Sequence, residues 1–429
     1  MISDFATQYY QISLILILAA FAIPISRKIA IADIPILIFL GIIFGPMLGI
    51  IKSSFASSFL TTFGGIGIGL LGIMIILYYE SHHMNLRVLR KQFWNIVSLD
   101  IIGVIVTALV SAAIFSLVFR APISVGFLFG AIVAPTDPAT LIPLFKRIKI
   151  KEDVSGTLVG ESLFNDPISI ILVSIAIIFI APNSSYVSSF SGIISVLGLY
   201  AGSIIYFIMQ ISIPALIGGI VGFSVIILNR FLNFENLIVA LLLGLVILEF
   251  TIFEAAGITP FPAIIVTGAI IGNFSDKSIF WNREEVFQEN LSFLAQALIF
   301  LTLGSMLTRI DIGEFALIGF GMTLLLLFIS RPVAVTMSLG LVSVKKERRI
   351  PRRSMLFYSL VGPRGVVSVV MSTVPYTVGL DTGNKLLLQY GPSIAVIVSF
   401  IVLFSIILQT IYVPFISRRL FEKEQQNQS

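Results

Sequence analysis

The chain has 429 residues, 57% of them hydrophobic and only 11% charged, with a formal net charge of +5. A soluble domain carries about 25% charged residues, so this composition excludes a water-covered surface. The absence of cysteine excludes disulfide and thiolate chemistry, and two adjacent histidines, His82 and His83, leave little for a histidine-based metal site.

A spanning helix needs about 20 mostly apolar residues. Thirteen such runs follow one another, at 9–26, 34–51, 62–79, 94–118, 123–144, 154–181, 203–229, 236–254, 260–273, 288–307, 313–343, 354–376 and 388–416. Asp4 precedes the first run with no basic stretch, so that helix is expected to be retained rather than cleaved. The Ser/Gly-rich stretch 186–202 is read as an ordered outer loop or interfacial piece, and 420–429 as a cytoplasmic tail. The alternating loops hold 21 lysines and arginines on one side and four on the other. The positive-inside rule then puts the N-terminus outside and the C-terminus in the cytoplasm of a multi-pass cell-membrane protein. The positives lie in short loops, so nucleic acid is not implied. Gly41, Gly45 and Gly49, and Gly218 with Gly222, form small-residue rows that suit close helix contacts within the chain or a dimer face.

Span five is interrupted by Ala134-Pro135-Thr136-Asp137-Pro138. Its two prolines free the carbonyls of Ala131 and Ala134. Span six carries Glu161-Ser162-Leu163-Phe164-Asn165-Asp166-Pro167 in an otherwise apolar stretch. Residues four apart share a helix face, so Ser162 lies with Asp166, and Glu161 with Asn165 on the adjacent face. Carboxylate, hydroxyl and carbonyl oxygens are hard ligands suited to alkali or alkaline-earth cations. Span twelve is interrupted by Val361-Gly362-Pro363-Arg364-Gly365. Interrupted helices in corresponding positions of two halves point to a transporter site. Six helices, a linking helix and six more give the second unit inverted topology. The fold class is therefore all-α and polytopic, with about 13 transmembrane helices, inverted six-helix repeats and two discontinuous helices.

Asp137, Glu161, Asp166, Arg331 and Arg364 fall deep in spans. At roughly 3 kcal/mol each they would cost on the order of 15 kcal/mol unpaired, as much as the stability of a typical domain. Arg364 stays charged and is matched with Glu161, which leaves Asp166 free to titrate. Arg331 has no partner that sequence names. Asp100, Glu249 and Glu254 are read as end-of-helix groups.

The motifs at 134–139, 161–167 and 362–365 together resemble those of the sodium/proton antiporters of the monovalent cation:proton antiporter-1 family, in their archaeal and bacterial form. The likeness runs over nearly the whole chain, with weaker matches at Phe300–Gly304 and Arg331-Pro332. The resemblance implies a homodimer in the lipid bilayer with a separate ion-transporting core. The dimer-forming part is then 1–93 and 233–311, the core 94–181 and 312–419, with 182–232 an outer loop and linking helix. It implies Asp166 as the proton and cation carrier. It further implies ion contacts from Asp137, Ser162 and the Thr136 carbonyl, with Asn165 alongside. Glu161 with Arg364 resembles the family's structural ion pair. Glu80 resembles an acid that reaches the ion through water, although Ser81-His82-His83 after it departs from the family's pattern. Asn165, where electrogenic relatives carry a second aspartate, implies electroneutral exchange of one sodium or lithium for one proton. No cofactor is implied: the transported ions are cargo, and no phosphate-binding loop occurs. A potassium/proton antiporter of the same fold stands as the alternative. An uncoupled cation channel calls for a symmetric ring of acids, which two different broken helices do not supply.

Overall fold

The computed structural model describes residues 2–29, 33–62, 68–137, 145, 150–182, 184, 192–193, 197–232, 234, 237–275, 279–344 and 350–425. Most of the 186–202 stretch, Pro138 and the basic residues at 146–149, 277 and 345–349 lie outside them.

The first helices are α1 (Ile2–Ile29), α2 (Asp33–Ile42, closing in a π-helical turn at Ile43–Met47), α3 (Ser53–Thr62) and α4 (Ile68–His82). Next come α5 (Leu86–Ser98), a π-helical turn at Leu99–Gly103, α6 (Val104–Phe119), α7 (Ile123–Val133) and α8 (Glu152–Ile180). Then follow α9 (Leu199–Leu232), α10 (Ile238–Ala255), α11 (Phe261–Phe274) and α12 (Ile279–Met306). The last are α13 (Arg309–Leu325), a π-helical turn at Leu326–Ser330, α14 (Arg331–Val342), α15 (Arg352–Leu360), α16 (Val366–Thr382) and α17 (Lys385–Gln425). Among the described residues, eight helices are long and apolar enough to cross a membrane, and four shorter ones are apolar.

Several helices run past the apolar windows that predict them. The fourth span is expected from residue 94, but its helix begins at Leu86, where the Asn85 side chain accepts from the Arg87 amide at 3.0 Å. The added turns carry Arg87, Arg90 and Lys91, so they are amphipathic, and a hydropathy window stops short of them. Lys91 pairs with Asp153 at the start of α8 at 2.6 Å.

Lipid offers no hydrophobic drive for helices to associate, so close packing and polar contacts decide which meet. α4 packs on α11 and α12, α2 on α12, and α9 on α11. α6 lies along α7, α5 and α7 along α8, and α13 and α16 along α17. Gly41, Gly45, Gly218 and Gly222 of the small-residue rows serve these internal contacts, whereas a side chain on Gly49 would meet nothing within 4 Å. A side chain on Gly41 would overlap the Leu301 carbonyl, and one on Gly218 the Ala263 carbonyl. Gly45 sits against Ser305 and Gly222 against Ile270. In α8, 83% of the most apolar stretch is buried, against 28% in α9, so α8 is a central helix and α9 a peripheral one.

Two end-of-helix expectations fail here. Asp100 is buried inside the π-helical turn that joins α5 to α6. Glu249 is buried within α10 and accepts from the Thr267 hydroxyl at 2.7 Å. Asp100 sits in the helix body because its helix begins at Leu86 rather than at residue 94, and Glu249 lies six residues before the end of α10 at Ala255.

Candidate functional site

Two short stretches of irregular backbone meet at the centre. α7 ends at Val133, and Ala134–Asp137 is non-helical; α15 ends at Leu360, and Val361–Gly365 is non-helical. Pro135 and Pro363 lack the N–H that a continuing helix would use. Irregular backbone at membrane depth survives only where protein buries it or a cavity receives it. Here the amide of Asp137 donates to the Pro363 carbonyl at 2.8 Å, so each break satisfies part of the other. A side chain on Gly365 would overlap that of Asp137, and one on Gly362 would press on Thr136 and Arg331, so glycine is what lets the breaks touch.

The carbonyls released by the prolines are taken up. Ser169 on α8 donates to the Ala131 carbonyl at 2.6 Å. Arg364 Nη1 donates to the carbonyls of Ala134 and Pro135 at 2.7 and 3.0 Å. α17 holds the second break: the Ser405 hydroxyl accepts from the Arg364 amide at 3.1 Å and Gln409 Oε1 from the Gly362 amide at 2.8 Å.

The expected Glu161–Arg364 pair is corrected by this geometry. Glu161 accepts a forked pair of bonds from Arg331, one from Nη1 and one of 2.8 Å from Nη2, with both side chains almost fully buried. Arg331 Nε also donates to the carbonyls of Tyr358 and Val361, at 3.1 and 3.2 Å. Those carbonyls belong to the end of α15, which lacks helical partners of its own. Arg331 therefore ties α8 to the second break, and Arg364 is drawn to the first by its carbonyls. A planar fork that matches a carboxylate in two bonds is the property that separates arginine from lysine at such a place.

Asn165 and Asp166 lie one turn beyond Glu161 and Ser162, and all four are buried. Asn165 Nδ2 donates to the Thr136 hydroxyl at 3.0 Å and to the Thr136 carbonyl at 3.3 Å. The amide thus fixes the residue before Asp137. The carboxylates of Asp137 and Asp166 lie within electrostatic range of each other. Glu80, half-buried near the end of α4, feels both of them. The structure therefore gathers Glu80, Asp137, Thr136, Ser162, Asn165 and Asp166 about one centre, with Glu161, Arg331 and Arg364 bracing it. Among the described residues no three of His, Asp and Glu form a group that could hold a metal ion. A cation here would draw on hydroxyl and carbonyl oxygens as well as carboxylates.

Sequence reasoning missed Asp100 at this centre. Its carboxylate lies within electrostatic range of Glu161, Arg331 and Asp166, and its Oδ1 has no hydrogen-bond partner among the described residues. The signal was its place inside the apolar run of span four. π-helical turns are frequent at functional sites, and two of them sit here, one holding Asp100 and one leading directly into Arg331.

Comparison with known proteins bears on the whole chain. A family model described as "Sodium/hydrogen exchanger, transmembrane" matches residues 14–419. The chain is 31% identical over 371 residues to the probable Na(+)/H(+) antiporter 2 of Methanocaldococcus jannaschii, covering 82% of this chain and 81% of that protein. It is 26% identical over 364 residues to the K(+)/H(+) antiporter NhaP2 of Shewanella baltica, covering 83% of this chain and 58% of that one. The solved structure of the sodium proton antiporter MjNhaP1 from Methanocaldococcus jannaschii superposes with a TM-score of 0.82 at 26% identity, over 97% of this chain and 99% of the other.

Proposed function

The chain belongs to the sodium/hydrogen exchanger family, and on that premise we propose that it exchanges sodium for protons, one for one, by competition at Asp166. One observation carries the reading. Arg331 is committed to Glu161 and to backbone carbonyls, and Arg364 donates through Nη1 to backbone carbonyls, so neither donates a hydrogen bond to Asp166 among the described residues. A buried carboxylate without a fixed countercharge holds a proton tightly, and a bound cation displaces that proton. Proton and cation then exclude each other at one group.

Asp166 is the carrier in this reading. Asp137, Ser162 and the Thr136 oxygens complete the cation's shell, Asn165 orients Thr136, and Glu80 adds charge from α4. Lithium, similar in charge and hardness, is a further substrate. The core that moves is 94–181 with 312–419, and the part that pairs two copies is 1–93 with 233–311. The packing of α4 on α11 and α12, and of α5 and α7 on α8, supports that division. The N-terminus lies outside and the C-terminus in the cytoplasm. The potassium alternative is favoured by one observation, the likeness to a relative that is a K(+)/H(+) antiporter.

The test is exchange in proteoliposomes with sodium, lithium or potassium supplied in turn. The wild-type chain acidifies or alkalinises the lumen with sodium and lithium and not with potassium, and Asp166→Asn abolishes the response. Wild-type-like exchange in Asp166→Asn sinks the carrier assignment; a potassium response that exceeds sodium's replaces the substrate.

A further inference from the structure

Two cavities lie at opposite ends of α8, along the helix face that carries Ser162 and Asp166. Ser155, Val159, Ser162, Asp166, Ile170 and Ser174 recur every three or four residues, so they form one row. A cavity of about 480 Å³ takes in Ser155 and Val159, near the start of α8. A second, of about 460 Å³, takes in Ile170 and Ser174. Neither Ser162 nor Asp166 lines either one. Ile170 stands four residues beyond Asp166, a rise of about 6 Å, so one helical turn separates the carboxylate from the second cavity.

That second cavity is built from the first turns of α4 and α9, the end of α10, the turn that follows it, and α16. Glu254 is the one charged residue among its described lining, and its side chain is exposed. Its carboxylate acts electrostatically on the buried Tyr206 hydroxyl across the cavity. Gln210, one turn along α9 from Tyr206, fixes the rim. Its Nε2 donates to the Gly257 carbonyl at 3.0 Å and its Oε1 accepts from the Thr259 amide. Leu70, Ile170 and Met371 belong to its apolar lining, and Ile170 is the one that stands a helical turn from Asp166.

We infer that the cavity at Glu254 is a collecting site for a hydrated monovalent cation, and that Leu70, Ile170 and Met371 form the gate between it and Asp166. The inference rests on the exchange reading and names a residue and a gate which that reading leaves open. A cleft with low-dielectric walls and one sign of charge concentrates counter-ions. One exposed carboxylate with the hydroxyls of Ser174, Tyr206 and Thr259 attracts a cation without stripping its water, and removal of that water waits for the oxygens around Asp166. On the orientation proposed above the cavity opens outward, and the one near His83 opens inward.

Two measurements on the full chain in proteoliposomes test this. Glu254→Gln raises the sodium concentration for half-maximal exchange from the outer face about three- to tenfold at low ionic strength, with half-saturation from the inner face staying at the wild-type value. The difference shrinks as inert salt is added. A shift on both faces, or on neither, overturns the collecting role. The second measurement needs no transport. The chain has no cysteine, so Ser174→Cys supplies the only thiol. A membrane-impermeant cationic thiol reagent modifies it from the outer face, more slowly once Glu254→Gln is added. A thiol that stays unmodified, or that is reached from the inner face alone, overturns the cavity's role. Labelling as expected in a chain that fails to exchange sodium for protons counts against the exchange reading and leaves the cation-collecting cavity standing.

Discussion

Glu161 and Arg331 show how a buried charge pair is told from a plausible substitute. Both arginines of the centre lie deep in the membrane, and charge balance alone cannot say which of them meets the glutamate. The fork reaches from Arg331, and Arg364 turns its Nη1 to carbonyls 230 and 229 residues away in sequence. Removing one partner of a buried pair leaves an uncompensated charge and costs about 3–5 kcal/mol. Arg331→Ala is therefore expected to lower stability by about that amount, read as thermal unfolding in detergent. In a double-mutant cycle, Glu161→Gln couples strongly to Arg331→Gln and weakly to Arg364→Gln; coupling of the reverse order would restore the original pairing. Asn165 makes a separate point at the same scale. It was read from sequence as a missing carboxylate, and the structure adds two donated bonds to Thr136. Leaving a buried group unsatisfied costs about 1–3 kcal/mol. Asn165→Ala is expected to weaken half-saturation by sodium roughly tenfold, and an unchanged half-saturation would show that Thr136 needs no such support.

At the scale of elements, the breaks were readable because proline and glycine act locally. By sequence Pro135 and Pro138 release the carbonyls of Ala131 and Ala134, and these two carbonyls find donors in Ser169 and Arg364. That the two breaks touch each other was not readable, since contact between residues more than 200 positions apart leaves no periodicity. The π-helical turns were equally hidden: Leu99–Gly103 and Leu326–Ser330 read as ordinary apolar helix. The extra residue in such a turn alters which way the following side chains face, and so Asp100 passed as a helix-end acid. The contact between breaks makes Gly365 the sharpest probe. Gly365→Ala places a methyl against Asp137, whereas Gly244→Ala meets nothing within 4 Å. Exchange in Gly365→Ala is expected to fall at least about 100-fold, the order of loss that follows from misplacing a reacting group by an ångström. Gly244→Ala should keep wild-type rates, with both chains eluting as folded protein on size exclusion. Wild-type exchange by Gly365→Ala would mean that the breaks need not touch.

At the scale of the whole molecule, the question is what charge crosses the membrane in one cycle. The core is proposed to move only when Asp166 carries a proton or a cation, so its charge is the same on both strokes. Glu161 and Arg331 cancel, and Arg364 is a fixed charge present in every state. Asn165 supplies no second titrating carboxylate beside Asp166. One sodium for one proton then moves no net charge, and an imposed potential does no work on the cycle. The contrast with unequal exchange is large. A potential of 100 mV is worth about 2.3 kcal/mol per transferred charge, which is roughly 50-fold in the cation gradient at balance. Proteoliposomes clamped at about 100 mV of either sign should therefore reach the same sodium gradient for a given pH difference as unclamped ones. Asp137 supplies the competing outcome, since it lies within electrostatic range of Asp166 and could release a proton of its own. If the gradient at balance shifts by tens of fold with potential, a second proton is moving, and Asp137→Asn in that chain should abolish the shift.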